Sequence, residues 1–579
     1  MSIITRTRRP KVSLVKDDTA ALAAFDIRRD RRVLGWVVTA LAATLVTVAL
    51  LLPNKVGQVE PKAFLRIPAE GIIAVALILV WPARFVRLRQ IGAAIGGTLL
   101  GLLMIVKFLD MGFYASLARP FDLVLDWALL DDAQSFLGDS IGEGGAKAVA
   151  VGVIVLALAV VALMALSAMR LSTVITRHRT GSSRSIAVLG LVWALAAGLG
   201  WQATPALPIA ARGEAALAMD RAKAVKAGLD DHEIFEAEAA VDAFAETPGD
   251  QLLTQLRGKD VMLTFVESYG RDAVEDPEFA TQVGKVLDDG ADRLAAKGFA
   301  TRSAFLTSST VGGGSWLAHS TVQSGLWIDN QSRYVNLVAS DRLTISGAFR
   351  KAGWRTVGVM PAIDRAWPES NFFGIDKVYD GPSMGYKGPK FAYAPMPDQF
   401  SMSTFHRNER AAPHAPVMAE IELISSHSPW TPLPKLLDWN GLGDGSVFES
   451  QVQGAPSPDE LWTNTTKGRA EYRKTIEYSL STIISYVENY GDENLVLVFL
   501  GDHQPAPLVT GENASRDVPI TIVGSQSVID RVGAWNWQPG MKPTADGGAP
   551  VWKMDQFRDR FFGAFGPGDG ATTTGQHTD

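Results

Sequence analysis

The run Val261-Met-Leu-Thr-Phe-Val-Glu267-Ser-Tyr-Gly270 strings six apolar or β-branched residues together and ends on a carboxylate. Unbroken runs of that length, closed by small and polar residues, read as strands buried on both faces of a sheet. A second such run, Leu495-Val-Leu-Val-Phe-Leu-Gly-Asp502-His503-Gln504, ends on an adjacent carboxylate and imidazole. Residues 301–305, 356–360, 417–424 and 520–523 add four more strand-like runs, alternating with helical stretches at 277–297, 340–353 and 470–490. The alternation predicts an α/β domain over residues 259–563 with a largely parallel central sheet covered on both faces. Ligands in such folds bind beyond the carboxyl ends of the strands, so Glu267, Asp502 and His503 stand where chemistry is expected.

Upstream the texture is different. Five apolar segments precede residue 212, at 33–52, 71–83, 91–106, 148–169 and 185–211. A bilayer core asks for roughly 20 apolar helical residues. The first, fourth and fifth segments reach that length without a charge. The second and third are shorter and recruit Glu70, Arg84 or Lys107 at their ends, where long side chains snorkel. Those two alone also suit a buried bundle, but five such runs in succession predict five transmembrane helices over residues 33–212. Residues 1–32 make a basic N-terminal segment. Residues 213–258, mixing Ala, Glu and Lys, predict a helical connector. The Gly- and Thr-rich residues 564–579 predict an unstructured tail.

Charge orients this plan. The 579 residues include 55 basic and 61 acidic side chains, for a formal charge of −6, with 47% apolar. Residues 1–212 hold 23 Lys and Arg against 13 Asp and Glu, leaving 32 against 48 for the remainder. An acidic globular half excludes a nucleic-acid binder, and zero cysteines exclude disulfides, zinc ribbons and thiol catalysis. The N-terminal segment and the second-to-third and fourth-to-fifth connections carry 16 positive residues, and the alternate connections six. The positive-inside rule puts the richer side in the cytoplasm, so five spans deliver everything after residue 212 to the outer side. Between spans three and four, residues 121–130 read equally as an amphipathic helix on the bilayer surface or as a segment packed on the spans.

Three places carry groups suited to chemistry. Glu267 after its strand reads as a helix cap or a ligand, whereas Asp502-His503 after a buried strand suits a divalent metal such as Mn²⁺ or Zn²⁺. The third is Ser309-Thr-Val-Gly312-Gly-Gly-Ser315-Trp-Leu-Ala-His319-Ser-Thr-Val-Gln-Ser324-Gly325. Three glycines permit unusual backbone angles and close approach of a substrate. A serine opening a helix lies where backbone N–H groups favour an anion; it reads as an ordinary cap or as a hydroxyl activated for attack.

Taken in order, Glu267, Ser315 and Asp502-His503 resemble the metal-and-nucleophile set of the alkaline phosphatase/sulfatase superfamily, and among its members the lipoteichoic acid synthase-like phosphoglycerol transferases. Those proteins also join five spans to an extracytoplasmic catalytic domain. The interval from Ser315 to Ser324-Gly325 and the pair Ser315-Trp316 are similar to the superfamily's nucleophile segments. The resemblance implies an alkaline phosphatase-like fold, one manganese or magnesium ion held by Glu267, Ser315, Asp502 and His503, and Ser315 as nucleophile. It further implies a multi-pass protein of the bacterial cytoplasmic membrane, a phosphatidylglycerol-like lipid donor, and a glycan or polymer acceptor. Ile424-Ser-Ser-His427-Ser-Pro-Trp430 resembles the segment whose His meets the phosphate or leaving group, though His427 also reads as a strand-end histidine. Arg365-Ala-Trp367 resembles the stretch lining the head-group pocket. Leu317 and His319 stand where sulfatases carry the Pro and Arg needed for formylglycine, so that modification is not expected, and His319 is instead expected at the substrate. A sulfatase-like ester hydrolase and a non-catalytic membrane-anchored binding protein are the alternatives.

Overall fold

The computed structural model describes residues 17–567, apart from residues 128, 131–132, 135–137, 139–141, 205–206, 212, 392 and 512–513. The expectations for residues 1–16 and 568–579 lie outside the described residues. The chain divides into two compact units, the first ending at Lys223 and the second made of Gly112–Leu130 with everything from Ala224 onward.

Five helices carry the apolar segments of the first unit: α1 (Asp17–Leu51), α2 (Ala69–Val80), α3 (Val86–Leu117), α4 (Glu143–Arg177) and α5 (Arg179–Gly198). Among the described residues, four are long and apolar enough to cross a membrane, and α2 is not. Its 12 residues cover about 18 Å at the helical rise, against a hydrocarbon core of about 30 Å. Pro68 stands directly before it and Pro82 just after Trp81, so the chain cannot extend the helix cheaply at either end. The five expected spans are therefore four long apolar helices and one short one: the second segment is as short as the sequence suggests, whereas the third extends to the 32 residues of α3. The last apolar segment also leaves helix at Gly198, and its remainder forms short strands, with Ala210–Ala211 pairing in parallel with Ile67–Pro68. Small residues set the closest packing. A Cβ on Gly97 would lie 2.6 Å from the Met164 carbonyl oxygen, and one on Gly101 2.9 Å from Val161 Cα. These two glycines, one turn apart on α3, let the backbone of α4 approach. The chain is thus a multi-pass membrane protein with a large extramembrane domain.

After α6 (Gly213–Ala239), the second unit builds one nine-stranded sheet. Its strands are β1 (Asp260–Val266), β2 (Ala300–Thr307), β3 (Arg355–Met360), β4 (Lys377–Asp380), β5 (Val417–Leu423), β6 (Leu495–Gly501), β7 (Asp517–Gly524), β8 (Gln538–Pro539) and β9 (Val551–Lys553). The order is β8-β2-β7-β6-β1-β5-β3-β4, with β9 beside β2. From β6 to β4 all pairings are parallel, and β7 lies antiparallel between β6 and β2. The short edge strands β4, β8 and β9 were not foreseen, because two to four residues carry no readable period. Every residue of β1 is buried. Met262 and Val266 face one core, packed by α7 (Ala280–Ala296) and α10 (Thr465–Tyr490). Val261, Leu263 and Phe265 face the other, packed by α8 (Ser315–Ser324), α9 (Ile345–Lys351) and α11 (Phe557–Phe565). The sheet is therefore covered on both faces, as the apolar runs require. Helix α11 includes Phe565, a buried ring two residues into the segment expected as tail.

Residues 112–130 pack as part of this second unit. Phe121 is fully buried, with its ring edge-on to Phe113 at 5.0 Å and Trp127 at 5.3 Å. Arg119 clasps Asp126 through two hydrogen bonds of 2.6 and 2.7 Å.

A buried arginine ties three distant stretches together. Arg558 on α11 is fully buried and meets the Asp242 carboxylate at 2.7 and 3.1 Å. It also donates to the carbonyls of Ser324 and Leu343 at 2.9 and 2.7 Å. Removing one partner of such a pair strands the other charge in the interior. Arg558→Ala is expected to cost the α/β domain about 3–5 kcal/mol, read as an earlier urea midpoint for the detergent-solubilised full chain. An unchanged midpoint would mean that the pair is solvated.

Candidate metal and nucleophile site

Strand register places the two carboxylates side by side. Gly501 at the end of β6 pairs with Val266 at the end of β1. The next residue on each strand, Asp502 and Glu267, leaves the sheet at the same level. Ser268 follows in a left-handed conformation (φ 57°) that turns its N–H onto Asp502 Oδ1 at 2.8 Å. Its hydroxyl donates to Glu267 Oε1 at 2.7 Å. The His503 N–H also reaches Asp502 Oδ1, at 2.7 Å. One oxygen of Asp502 is thus held by two backbone donors, and Oδ2 is left facing His503. The His503 Nδ1–H donates to the Gln504 carbonyl at 2.8 Å, which turns the Nε2 lone pair into the site.

Ser315 completes the cluster. Gly312, Gly313 and Gly314 have φ of 72°, 157° and 78°, the left-handed region that glycine occupies without strain. They lead into α8, whose first residue is Ser315. Close approach also demands glycine here, since a Cβ on Gly312 would lie 1.8 Å from the Ser116 carbonyl oxygen. The Ser315 hydroxyl donates to Glu267 Oε2 at 3.0 Å and lies 3.2 Å from His503 Nε2.

The donor set fits a divalent cation. Ligand atoms from Glu267, Asp502 and His503 lie within 4.8 Å of one another, and all three residues are buried. His503 Nε2 stands 3.6 Å from a carboxylate oxygen of each acidic residue. Among the described residues no Lys or Arg pairs with either. Burial and the neighbouring Glu267 charge push Asp502 up to about 6. Burial works against ionisation of Glu267 too, but the imidazoles of His503 and His427 and the Ser268 hydrogen bond prevail and hold it at about 2. Two buried carboxylates, an imidazole and a hydroxyl make a hard, oxygen-rich pocket for one metal ion.

The residues expected at the substrate are distributed differently. His427 follows β5, half-buried, with its ring stacked on Tyr393 at 3.8 Å and its Nδ1 2.6 Å from the Ser428 carbonyl. Trp367 is half-buried against Phe373 at 5.7 Å. Arg365 is exposed and, among the described residues, makes no side-chain hydrogen bond or ion pair. His319 is on the sheet-facing side of α8, buried and stacked on Phe265 at 3.9 Å, with Nδ1 3.1 Å from Glu422. It joins α8 to the sheet, and Gln323 one turn on does likewise through Glu420 at 2.7 Å. Burial raises the Glu420 carboxyl to about 7. Ser268, Ser308 and Ser426 escaped the sequence reading. The last two donate to the Asp502 and Glu267 carbonyls at 2.6 and 2.5 Å, and nothing in their neighbours marks them.

No family model and no curated protein matches the chain. Solved structures do. A lipoteichoic acid synthase from Listeria monocytogenes is similar at 14% identity and a TM-score of 0.32, over 47% of this chain and 67% of its own. A phosphoglycerol transferase from Streptococcus pyogenes, solved with sn-glycerol-1-phosphate, is similar at 13% identity and a TM-score of 0.31, over 48% and 71%. An integral membrane lipooligosaccharide phosphoethanolamine transferase from Neisseria meningitidis is similar at 12% identity and a TM-score of 0.39, over 91% and 95%.

Because Asp502 takes up a proton near pH 6, a metal must displace that proton at lower pH. Titration calorimetry with Mn²⁺ is expected to show affinity falling about tenfold per pH unit below 6. Asp502→Asn is expected to weaken binding and to flatten that dependence.

Proposed function

We propose that the protein is a metal-dependent phospho-head-group transferase working at the outer face of the cytoplasmic membrane through a covalent Ser315 intermediate. The observation that carries the reading is the Ser315 hydroxyl, set at a helix start between Glu267 Oε2 and His503 Nε2. One divalent cation, Mn²⁺ or Mg²⁺, held by Glu267, Ser315, Asp502 and His503, supplies Lewis acidity toward the serine and phosphoryl oxygens.

Ser315 Oγ attacks the phosphorus of a phosphatidylglycerol-like lipid, forming a P–O bond as the bond to diacylglycerol breaks. The hydroxyl proton leaves along the hydrogen bond to Glu267 Oε2. His427, with Nδ1 engaged by the Ser428 carbonyl, presents Nε2 to protonate the departing glycerol oxygen. The N-terminus of α8 offers backbone N–H groups to the phosphoryl oxygens. Arg365 and Trp367 bind the head group, one by charge and one by its apolar face. A glycan or polymer hydroxyl then attacks the phosphorus, forming a new P–O bond as the bond to Ser315 Oγ breaks; its proton passes to His427, and the serine oxygen takes back the proton held on Glu267. Membrane anchorage favours a donor that never leaves the bilayer.

The outward placement rests on α2 returning the chain across the membrane. Basic residues cluster before α1, before α3 and between α4 and α5, and they share one side only if α2 crosses. Contacts at both ends of α2 support this. Ile67–Pro68, before its start, pairs with Ala210–Ala211 beyond the end of α5. At its other end, the Leu79 carbonyl accepts from Arg179, the first residue of α5, at 2.5 Å.

Incubating the detergent-solubilised chain with Mn²⁺ and phosphatidylglycerol labelled in its head group is expected to leave label on Ser315, located by peptide mass spectrometry. Ser315→Ala is expected to carry no label and to lose at least about a thousandfold in turnover. Formylglycine at position 315 would instead identify a sulfatase-type hydrolase.

A further inference from the structure

The first unit contains a cavity of about 620 Å³ where α1 ends and α6 begins. Its walls carry charges that the membrane unit has gone to some cost to keep. Lys107, in the apolar helix α3, is 4% exposed, pairs with Glu214 and donates to the Ala49 carbonyl at 2.9 Å. Ionisable residues buried in spans are expensive and mark function. Glu214 is 5% exposed; its Oε1 takes Lys107, while its Oε2 is buried with no hydrogen-bond partner among the described residues. The site around it is built. Glu70 Oε1 accepts the backbone N–H groups of Glu214 and Ala215 at 3.1 and 3.2 Å, fixing the first turn of α6.

The opposite charge stands on the same cavity. Arg66 reaches only carbonyl oxygens, those of Ala63 at 3.2 Å and Leu51 at 3.5 Å, and has no carboxylate partner among the described residues. Leu50 and Leu217 line the cavity as well, so apolar wall adjoins both charges. Lys62 and Glu60, paired with each other, and the exposed Asp220 stand on the outer wall. The unspent guanidinium of Arg66, the buried unpartnered oxygen of Glu214 and the apolar lining complement a molecule holding phosphate, ammonium and hydrocarbon together.

We propose that this cavity is a binding site for a zwitterionic phospholipid of the phosphatidylethanolamine type, with its phosphate on Arg66 and its ammonium on Glu214 Oε2. The site belongs to the membrane unit and is independent of which donor the α/β domain uses.

The test is equilibrium binding of dihexanoylphosphatidylethanolamine to the full chain in detergent, with dihexanoylphosphatidylglycerol, free phosphoethanolamine and inorganic phosphate as comparators. The phosphatidylethanolamine is expected to bind saturably and at least about tenfold more tightly than any comparator. Arg66→Gln, which gives up only backbone contacts, is expected to weaken it about tenfold or more. Leu217→Trp, which fills the cavity, is expected to abolish binding, and Ser315→Ala to leave it unchanged. Equal binding of phosphatidylglycerol or free phosphate, or retention of binding in both cavity variants, would overturn the proposal. So would loss of binding in Ser315→Ala, which would put the lipid in the α/β domain.

Discussion

Two carboxylates that share one imidazole and, among the described residues, pair with no Lys or Arg are buried at the ends of adjacent parallel strands, and the surrounding structure serves to keep them there. Burial and the neighbouring Glu267 charge push Asp502 up to about 6, while the imidazoles of His503 and His427 overcome burial and hold Glu267 at about 2. Backbone N–H groups hold one oxygen of Asp502, a hydroxyl holds Glu267, and a carbonyl fixes the face that His503 presents. Each contact orients a lone pair toward a common centre without neutralising the charge. A divalent cation would supply the compensation such an arrangement calls for.

The serine is set against that centre from the other side of the chain. Helix α8 is gripped at its end by Arg558 through the Ser324 carbonyl. Beneath it, His319 and Gln323 meet Glu422 and Glu420 on β5, in place of the apolar residues that face the other helices. Buried polar contacts of this kind are directional, so they fix the helix's rotation as well as its distance from the sheet. Ser315 thereby points at Glu267 and His503 with little freedom to turn away.

Much of this was readable because strands buried on both faces leave long apolar runs. The six foreseen strands and three foreseen helices all exist, with ends shifted by a few residues. Glu267 and Asp502-His503 were visible because a polar group closing an apolar run is conspicuous, and Ser315 because three glycines precede it. The supporting serines were not, since a hydroxyl bonded to a distant carbonyl leaves no local pattern. His319 misled for a related reason. Its position four residues after Ser315 puts it on the same stretch of helix, yet the sheet and not the open end lies beneath it. The short second segment was visible as such, and prolines at both ends of α2 hold it there, while the length of α3 was not, because composition registers apolar runs more readily than the points where a helix must stop.

The stretch between α3 and α4 carries a consequence of its own. Phe121 is wholly enclosed in the second unit, and the Ser116 carbonyl fills the space where Gly312 has no side chain. The α/β domain is therefore discontinuous along the chain, with a piece encoded amid the apolar helices. Cutting after the last apolar helix would yield a domain missing part of its own wall, open at the glycine loop that carries the serine.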